Sequence, residues 1–172
     1  MREIRFRPLG RDDLGLMYEW LRREHVRRWW DEHESYEDVA EHYLPAIEGR
    51  RPVDLYLILL DGQPIGFIQA YLVAEHPDFA ALVGLGAGVA GADLFIGEEE
   101  LIGKGLGSEV LRAFVRDVVF ARPATTACIA DPDVRNAASL RAFEKSGFRR
   151  VGEFLDPQDG QLHAIVRIDR EA

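Results

Sequence analysis

The chain has 172 residues, of which 47% are hydrophobic and 30% are charged. This length is enough for one hydrophobic core and short for two ordinary domains, so we expect a single domain spanning residues 1–172. The net charge of −9 disfavours a nucleic-acid-binding surface and is compatible with a cationic ligand.

The cysteine content and the hydropathy pattern restrict the compartment. Cys128 is the only cysteine in the sequence, so an internal disulfide is excluded, and its apolar neighbours favour a packed thiol over a nucleophile. The first residues contain no hydrophobic signal core, and no stretch approaches the length of a membrane span. We expect a cytoplasmic protein without nucleic-acid or membrane partners, as a monomer or a homodimer.

The first half of the chain is predicted to begin with a strand, two helices and a hairpin. Asp12 is expected to cap the first helix, and Ser35 with Asp38 three residues later indicates a capping box for the second. Asp61 and Gly62 between two apolar runs predict a tight hairpin turn. The predicted elements are strands at 3–7, 55–60 and 64–71, helices from 12 and from 35 to about 47, and an irregular loop at 73–90.

In the second half, helices and strands alternate. The predicted elements are a strand at 92–97, a glycine turn at 102–107, a helix from 108 to about 121, a strand at 125–130, a helix at 136–146 and strands at 149–154 and 162–168. This order predicts a mixed α/β layer fold around one sheet.

The glycine turn is the most informative motif. Gly103, Gly105 and Gly107 would let backbone N–H groups converge on an anion at the start of a helix, as in phosphate-binding sites. The alternative is a helix entry that merely needs glycine. The pattern is not a P-loop, because Gly105 stands where that motif has Ser or Thr and Glu98 where it has its first glycine. A GxGxxG match at 86–91 precedes a strand and is interpreted as a flexible loop.

This turn, the strand order and residues 131–148 together resemble the GCN5-related N-acetyltransferases, over essentially the whole chain. Short matches in the same order are most similar to the aminoglycoside 6′-N-acetyltransferases; they lie at 18–21, 29–30, 43–45, 62–66 and 103–107. The resemblance implies a central, mostly antiparallel, twisted sheet of about seven strands flanked by about four helices and splayed at the acetyl-CoA site.

The resemblance also implies acetyl-CoA as co-substrate. Backbone amides at 102–108 are expected to hold its pyrophosphate, and residues 94–96 to pair with its pantetheine. The residues implied for acetyl-CoA are Leu94, Phe95, Ile96, Ile102, Gly103, Lys104, Gly105, Leu106, Gly107, Ser108, Asn136, Ser139 and Phe143. Two of them depart from the family pattern. Ile102 replaces the usual glutamine or arginine, and Phe143 replaces a tyrosine that protonates the leaving thiolate in many members.

On the acceptor side, the resemblance implies an acidic, aromatic-lined pocket. The residues implied for substrate are Trp30, Tyr43, Asp78, Asp93, Asp131 and Asp159. Converging carboxylates would attract a substrate that carries several ammonium groups. Asp93 is the proposed base or proton relay, because a charged residue in an otherwise apolar strand is hard to explain by packing. Asp78 is the second catalytic candidate.

Each of the other aspartates has a structural alternative. Asp131 before Pro132 suits a turn, Asp159 with Gly160 is an ordinary hairpin pair, and Asp78 suits a solvated loop. The five histidines show no ligand spacing with cysteine or carboxylate, so no metal is expected.

The expected activity is acetyl-CoA-dependent N-acetylation of a primary amine on an aminoglycoside or a similar polycation, by direct attack in a ternary complex. One alternative is a siderophore-type N6-hydroxylysine acyltransferase, a group that usually has histidine where this chain has Asp93. Protein or peptide N-acetylation is a second alternative. A CoA-binding module without turnover, suggested by Phe143, is a third.

Overall fold

Seven strands form one sheet in the computed structural model, which describes residues 2–30 and 33–172. The strands are β1 (Ile4–Pro8), β2 (Asp54–Leu60), β3 (Gln63–Leu72), β4 (Val89–Ile96), β5 (Ala127–Ala130), β6 (Arg149–Leu155) and β7 (Leu162–Asp169). Their order in the sheet is β1-β2-β3-β4-β5-β7-β6. The pairs β1–β2, β5–β7 and β6–β7 are antiparallel and β4–β5 is parallel, which confirms the expected mostly antiparallel α/β sheet.

Six α-helices are present in the described part of the chain. They are α1 (Leu14–Leu21), α2 (Glu24–Arg27), α3 (Tyr36–Ile47), α4 (Pro77–Val83), α5 (Leu106–Phe114) and α6 (Ala137–Lys145). A π-helical turn, Val115–Val119, continues α5. The two helices beyond the expected four are the short helices α2 and α4.

The segment 73–90, expected to be an irregular loop, is mostly regular. It contains a 3-10 turn, helix α4 and the first residues of β4. Gly91, expected in a flexible loop, is buried inside β4. The missed signal is the pair of helix boundaries: Pro77 occupies the first helical turn, and Gly84 ends the helix with a left-handed φ of 69°.

Local capping explains where the early elements begin. The Ser35 hydroxyl accepts a hydrogen bond of 3.2 Å from the Asp38 amide, which confirms the predicted cap of α3. The expectation for Asp12 is wrong: Asp13 instead accepts from the Gly10 amide at 2.8 Å, because a 3-10 turn precedes α1. The hairpin between β2 and β3 is confirmed, with both turn residues at positive φ.

The chain divides into two compact units. The first unit comprises Met1–Gln69 and Leu94–Ile102, and the second comprises Ala70–Asp93 and Gly103–Ala172. Met17, Trp20, Leu57 and Phe67 are fully buried in the core of the first unit. Val73, Val89, Ala127, Ile129 and Ile165 form a core cluster in the second unit. No helix among the described residues has both the length and the apolar character to cross a bilayer.

Candidate active site

The glycine turn of the second unit has the conformation that the sequence predicts for an anion site. Gly103 and Gly105 lie at φ of 78° and 75°, and a β-carbon on either would meet nothing within 4 Å. Gly105 precedes the first residue of α5, and its carbonyl accepts a 2.9 Å hydrogen bond from the Ser108 hydroxyl. The turn is exposed and leads directly into the N-terminus of a nine-residue helix, where backbone N–H groups favour phosphate.

The side chains around this turn have different environments. Leu106 is only 2% exposed and packs in the core, whereas Lys104 is exposed. Gly107 lies against α6, because a β-carbon there would be 3.5 Å from the β-carbon of Ala142. In the first unit, Ile102 is 44% exposed. The turn therefore presents its backbone groups and the exposed Lys104 side chain to solvent, and their binding of acetyl-CoA stays a prediction.

Strand β4 continues beyond its pairing with β5. The parallel register joins Val89–Gly91 to Ala127–Ile129, whereas β4 runs on to Ile96. Residues 94–96, predicted to pair with pantetheine, lie in this continuation. The splay of the sheet and the role of Leu94, Phe95 and Ile96 in binding acetyl-CoA stay predictions.

Three side chains hold the end of β4 in the first unit, and we call them the buttress. Trp20 lies on α1, His25 lies on α2, and Arg23 lies between the two helices. The Trp20 indole donates to the Glu98 carboxylate at 3.0 Å, and Arg23 donates to the Gly97 carbonyl at 2.7 Å and to Glu98 at 3.0 Å. These two donors lower the pKa of Glu98. His25 Nε2 lies 3.0 Å from the carbonyl oxygen of Ile96, so this carbonyl has a hydrogen-bond partner within the protein.

Sequence reasoning did not identify this buttress. Its contacts join residues that are more than 70 positions apart in the chain, and no spacing rule relates them.

Asp93 lies half-buried on β4, two residues after Gly91 and therefore on the same face of the strand. Gly91 is covered by the ring of Tyr71, with which a β-carbon at position 91 would overlap. Burial raises the pKa of Tyr71 well above its usual value, and the charges of Asp93 and Asp131 raise it further. Burial, with the charge of Asp93, raises the pKa of Cys128 to about 12. Both neighbours of Asp93 therefore stay protonated at neutral pH.

Two of the predicted acceptor aspartates meet around a histidine. We call Asp131, Asp156, Asp159 and His163 the acidic hairpin cluster. His163 Nε2 lies 2.7 Å from the Asp159 carboxylate and 3.8 Å from that of Asp156. His163 Nδ1 lies 2.6 Å from the Asp131 carbonyl and 3.3 Å from its carboxylate. The His163 side chain is 11% exposed, so these contacts occupy most of its surface.

The charges of the cluster are coupled. The hydrogen bond to Asp131 is the main cause that raises the pKa of His163 to about 10, although burial opposes it, and the bond to Asp159 adds to the rise. Burial raises the pKa of Asp131 more strongly than His163 lowers it. Because a carboxylate and a carbonyl are both acceptors, an imidazolium, which donates from both ring nitrogens, satisfies both contacts.

Sequence reasoning missed His163 and its surroundings. Spacing along the chain underlies the expectation of no metal. The fold gathers His163 with Asp131 and Asp156, and with Asp133 and Asp159, as groups whose side-chain oxygen and nitrogen atoms lie within 4.8 Å of one another. The signal that could have found it is strand pairing, because residues 132–134 pair with the first residues of β7.

Asp78 is exposed in the first turn of α4. A carboxylate is favourable there because the helix N-terminus is positive, so its position has a local structural explanation. The next residue, Phe79, packs edge-on against Tyr71 at 6.0 Å and against Phe154 at 6.1 Å. A catalytic role for Asp78 stays a prediction.

The two predicted aromatic residues belong to the core of the first unit. Tyr43 is 2% exposed, and its hydroxyl accepts a 3.2 Å hydrogen bond from the Trp30 indole. Trp30 is half-buried and packs edge-on against Phe95 at 5.1 Å. Tyr43 packs the core and holds Trp30. Contact of either residue with substrate stays a prediction.

Three further residues predicted to contact acetyl-CoA lie on or next to α6. The side chain of Asn136 caps this helix, accepting from the Ser139 amide at 3.2 Å. Phe143 is 3% exposed and packs against Phe148, with ring centroids 5.0 Å apart. These contacts give each residue a structural role, and Phe143 has no proton to donate.

The sequence matches the family described as "Acetyltransferase (GNAT) domain" over residues 10–155. The chain belongs to the GNAT acetyltransferases. As a GNAT acetyltransferase it is an N-acetyltransferase that uses acetyl-CoA, which confirms the expected family, fold, enzyme class and co-substrate.

Individual relatives are similar over nearly the whole chain. Aminoglycoside N(6′)-acetyltransferase type 1 of Klebsiella pneumoniae is 33% identical over 165 residues, which cover 94% of this chain and 82% of that protein. A crystal structure of aminoglycoside acetyltransferase AAC(6′)-Ib with coenzyme A and kanamycin is 31% identical, with a TM-score of 0.83 and coverage of 98% and 95%. Lysine N-acyltransferase MbtK of Mycolicibacterium paratuberculosis is 29% identical over 159 residues, which cover 87% of this chain and 66% of that protein.

Proposed function

We propose that this enzyme transfers the acetyl group of acetyl-CoA to a primary amine of an aminoglycoside, or of a similarly polycationic small molecule, by direct attack in a ternary complex. The observation that carries the proposal is the similarity to aminoglycoside 6′-N-acetyltransferases over 94% of the chain. The acidic hairpin cluster supports it, because its three carboxylates outnumber its one cation.

The acceptor's ammonium groups are bound by Asp131 and Asp159. Both are contacts of His163, and at least one edge of Asp159 faces solvent, since its side chain is 45% exposed. Ammonium–carboxylate hydrogen bonds are among the stronger polar contacts, and several together fix the orientation of a polycation.

Acetyl-CoA supplies the acyl group and a thiolate leaving group. The backbone amides of the glycine turn and the first turn of α5 bind its pyrophosphate, which suits their left-handed, side-chain-free geometry. Because Phe143 cannot donate a proton, water protonates the departing thiolate.

Asp93 is the base or proton relay. The acceptor amine is mostly protonated at neutral pH and must lose a proton before it attacks. Asp93 suits this task because it is half-buried on β4 beside Tyr71 and Cys128, both of which remain protonated and so do not compete for the proton.

The first test is release of CoA thiol from acetyl-CoA by the purified protein. Kanamycin and tobramycin are assayed beside spermidine, N6-hydroxylysine and a peptide amine. Saturable release with the aminoglycosides alone supports the proposal. No release of CoA thiol with the aminoglycosides, together with turnover of another amine, refutes the proposal.

The role of Asp93 is tested in the same assay. Asp93→Asn should lower kcat by about 10²–10⁴-fold, the usual contribution of general base catalysis, with the KM for acetyl-CoA unchanged. Asp12→Asn is the matched control, because Asp12 is exposed in a 3-10 turn of the first unit. If both variants retain wild-type kcat, Asp93 is not the base.

The similarity to a lysine N-acyltransferase supports a second candidate, acylation of N6-hydroxylysine. Turnover of that amine alone would favour it, turnover of the peptide amine alone would favour protein N-acetylation, and acetyl-CoA binding without turnover of any amine would favour a CoA-binding module. A single domain over 1–172, a cytoplasmic location, a monomeric or homodimeric state and a role in antibiotic resistance stay predictions.

A further inference from the structure

We propose that His163 is a positioning residue of the acceptor site: held as an imidazolium between Asp131 and Asp159, it orients both carboxylates for the substrate's ammonium groups and keeps that of Asp131 ionised. This inference rests on the proposed function, since it assigns Asp131 and Asp159 to substrate binding.

The protonation of His163 follows from its contacts. Nδ1 lies 2.6 Å from the carbonyl oxygen of Asp131, and Nε2 lies 2.7 Å from a carboxylate oxygen of Asp159. A carbonyl oxygen and a carboxylate oxygen both accept hydrogen bonds, so an imidazole that donates to both carries hydrogen on both nitrogens. Such charge-assisted hydrogen bonds restrict the orientation of the groups they join.

The ionisation of Asp131 depends on the His163 imidazolium. Its side chain is 17% exposed, and burial together with the charges of Asp156 and Asp159 raises its pKa. His163 is the neighbour that opposes this rise. Without the imidazolium, the pKa of Asp131 rises further, and a protonated Asp131 no longer attracts an ammonium group.

The remaining groups around the imidazole do not replace it. Asp133 is paired with Arg135 at 2.7 Å, so that guanidinium is already bound to a carboxylate of its own loop. The ring of Phe154 on β6 lies 5.6 Å from the imidazole and carries no charge.

The backbone around His163 is fixed independently of its side chain. The Val134 amide donates to the Leu162 carbonyl at 3.1 Å, and the Ala164 amide donates to the Pro132 carbonyl at 2.9 Å. The β6–β7 register continues this ladder from Leu162. Variants at position 163 are therefore expected to fold, which allows the side chain to be tested separately.

The experiment compares His163→Val and His163→Gln with Arg150→Gln in steady-state kinetics from pH 6 to pH 9. Arg150 is the matched control because it lies on β6 of the same hairpin and pairs with Glu153 at 2.7 Å, outside the cluster. We expect the acceptor KM of both His163 variants to rise about tenfold or more near pH 7. That KM should recover as the pH increases and Asp131 loses its proton, and the KM for acetyl-CoA should not change.

A second readout is the nitrogen chemical shifts of the His163 ring in ¹⁵N-labelled wild-type protein. Imidazolium shifts that persist at pH 8 support the inference, and titration near pH 6.5 refutes it. An acceptor KM that stays at the wild-type value in both His163 variants, or that shifts equally in Arg150→Gln, also refutes it while leaving the proposed function intact. Absence of turnover with every polycationic acceptor refutes the proposed function, and the positioning role with it.

Discussion

Gly97→Ala is expected to destabilise the first unit, because Gly97 lies directly on the buried ring of Trp20. A β-carbon at position 97 would lie within 3.0 Å of three ring atoms of Trp20, a separation that real β-carbons do not show. Gly97 is outside the left-handed φ region, so the backbone itself accepts alanine. Trp20 is fully buried and packs edge-on against Phe95 at 6.0 Å, so the ring has little room to yield.

The size of the effect follows from two terms. Overpacking of a filled core costs about 1–3 kcal/mol. Displacing the indole also lengthens its 3.0 Å hydrogen bond to Glu98, and bonds to charged groups are worth about 1.5–3 kcal/mol. Allowing for partial relaxation, we expect the free energy of unfolding to fall by about 3 kcal/mol. In a chain of this length that loss lowers Tm by roughly 6–12 °C.

Thermal and urea unfolding measure this loss, and the matched control is Gly15→Ala in α1. Gly15 is exposed, and a β-carbon there meets nothing within 4 Å, so alanine should leave stability unchanged or raise it by up to about 1 kcal/mol. The double variant Trp20→Phe/Gly97→Ala should lose less stability than the two single effects summed, since the smaller ring relieves the overlap. Wild-type stability in Gly97→Ala, or strict additivity in the double variant, would refute the argument.

Three further outcomes are expected. Cys128 should not react with a thiol reagent in the folded protein at pH 8 and should react on unfolding, because it is buried and its pKa is raised to about 12; fast labelling of the native state would contradict this. Ser35→Ala should lower the free energy of unfolding by about 1 kcal/mol in urea titrations, through loss of the α3 cap; an unchanged midpoint would show that the cap contributes nothing. The stability difference between wild type and His163→Val should be largest below pH 6.5 and should shrink as the pH rises toward about 10. Folding raises the pKa of His163 from 6.5, so the protonated form stabilises the fold, and a difference that grows with pH would have the wrong sign.

The acidic hairpin cluster could be predicted only in part from the sequence. Asp131 and Asp159 could be named from the resemblance, but their partner His163 could not. The contact that joins them requires the residues after β5 to pair with the first residues of β7, some 30 positions further along the chain. A spacing rule for metal ligands or acid–base pairs applies within one element, so it has no access to such a contact.

The role of the two aromatic positions stays a prediction. Tyr43 and Trp30 are expected to line the substrate pocket, and the structure shows Tyr43 in the core with its hydroxyl accepting from the Trp30 indole. The residue type gave no means of deciding between a pocket wall and a packed ring, because both use a large amphipathic side chain.

The sequence by itself determined the family and most local elements; the start of α1, helix α2 and the segment 73–90 are the exceptions. The caps, the hairpin turn and the glycine turn all depend on residues within a few positions of one another, and the backbone conformations that they require are properties of those residues. Only the tertiary structure decided which distant groups meet: the Trp20–Glu98 buttress, the covering of Gly91 by Tyr71, and the imidazolium between two carboxylates. The physical reason is that burial and charge coupling act through space, so the protonation state of His163 is fixed by the fold and not by its neighbours in the chain.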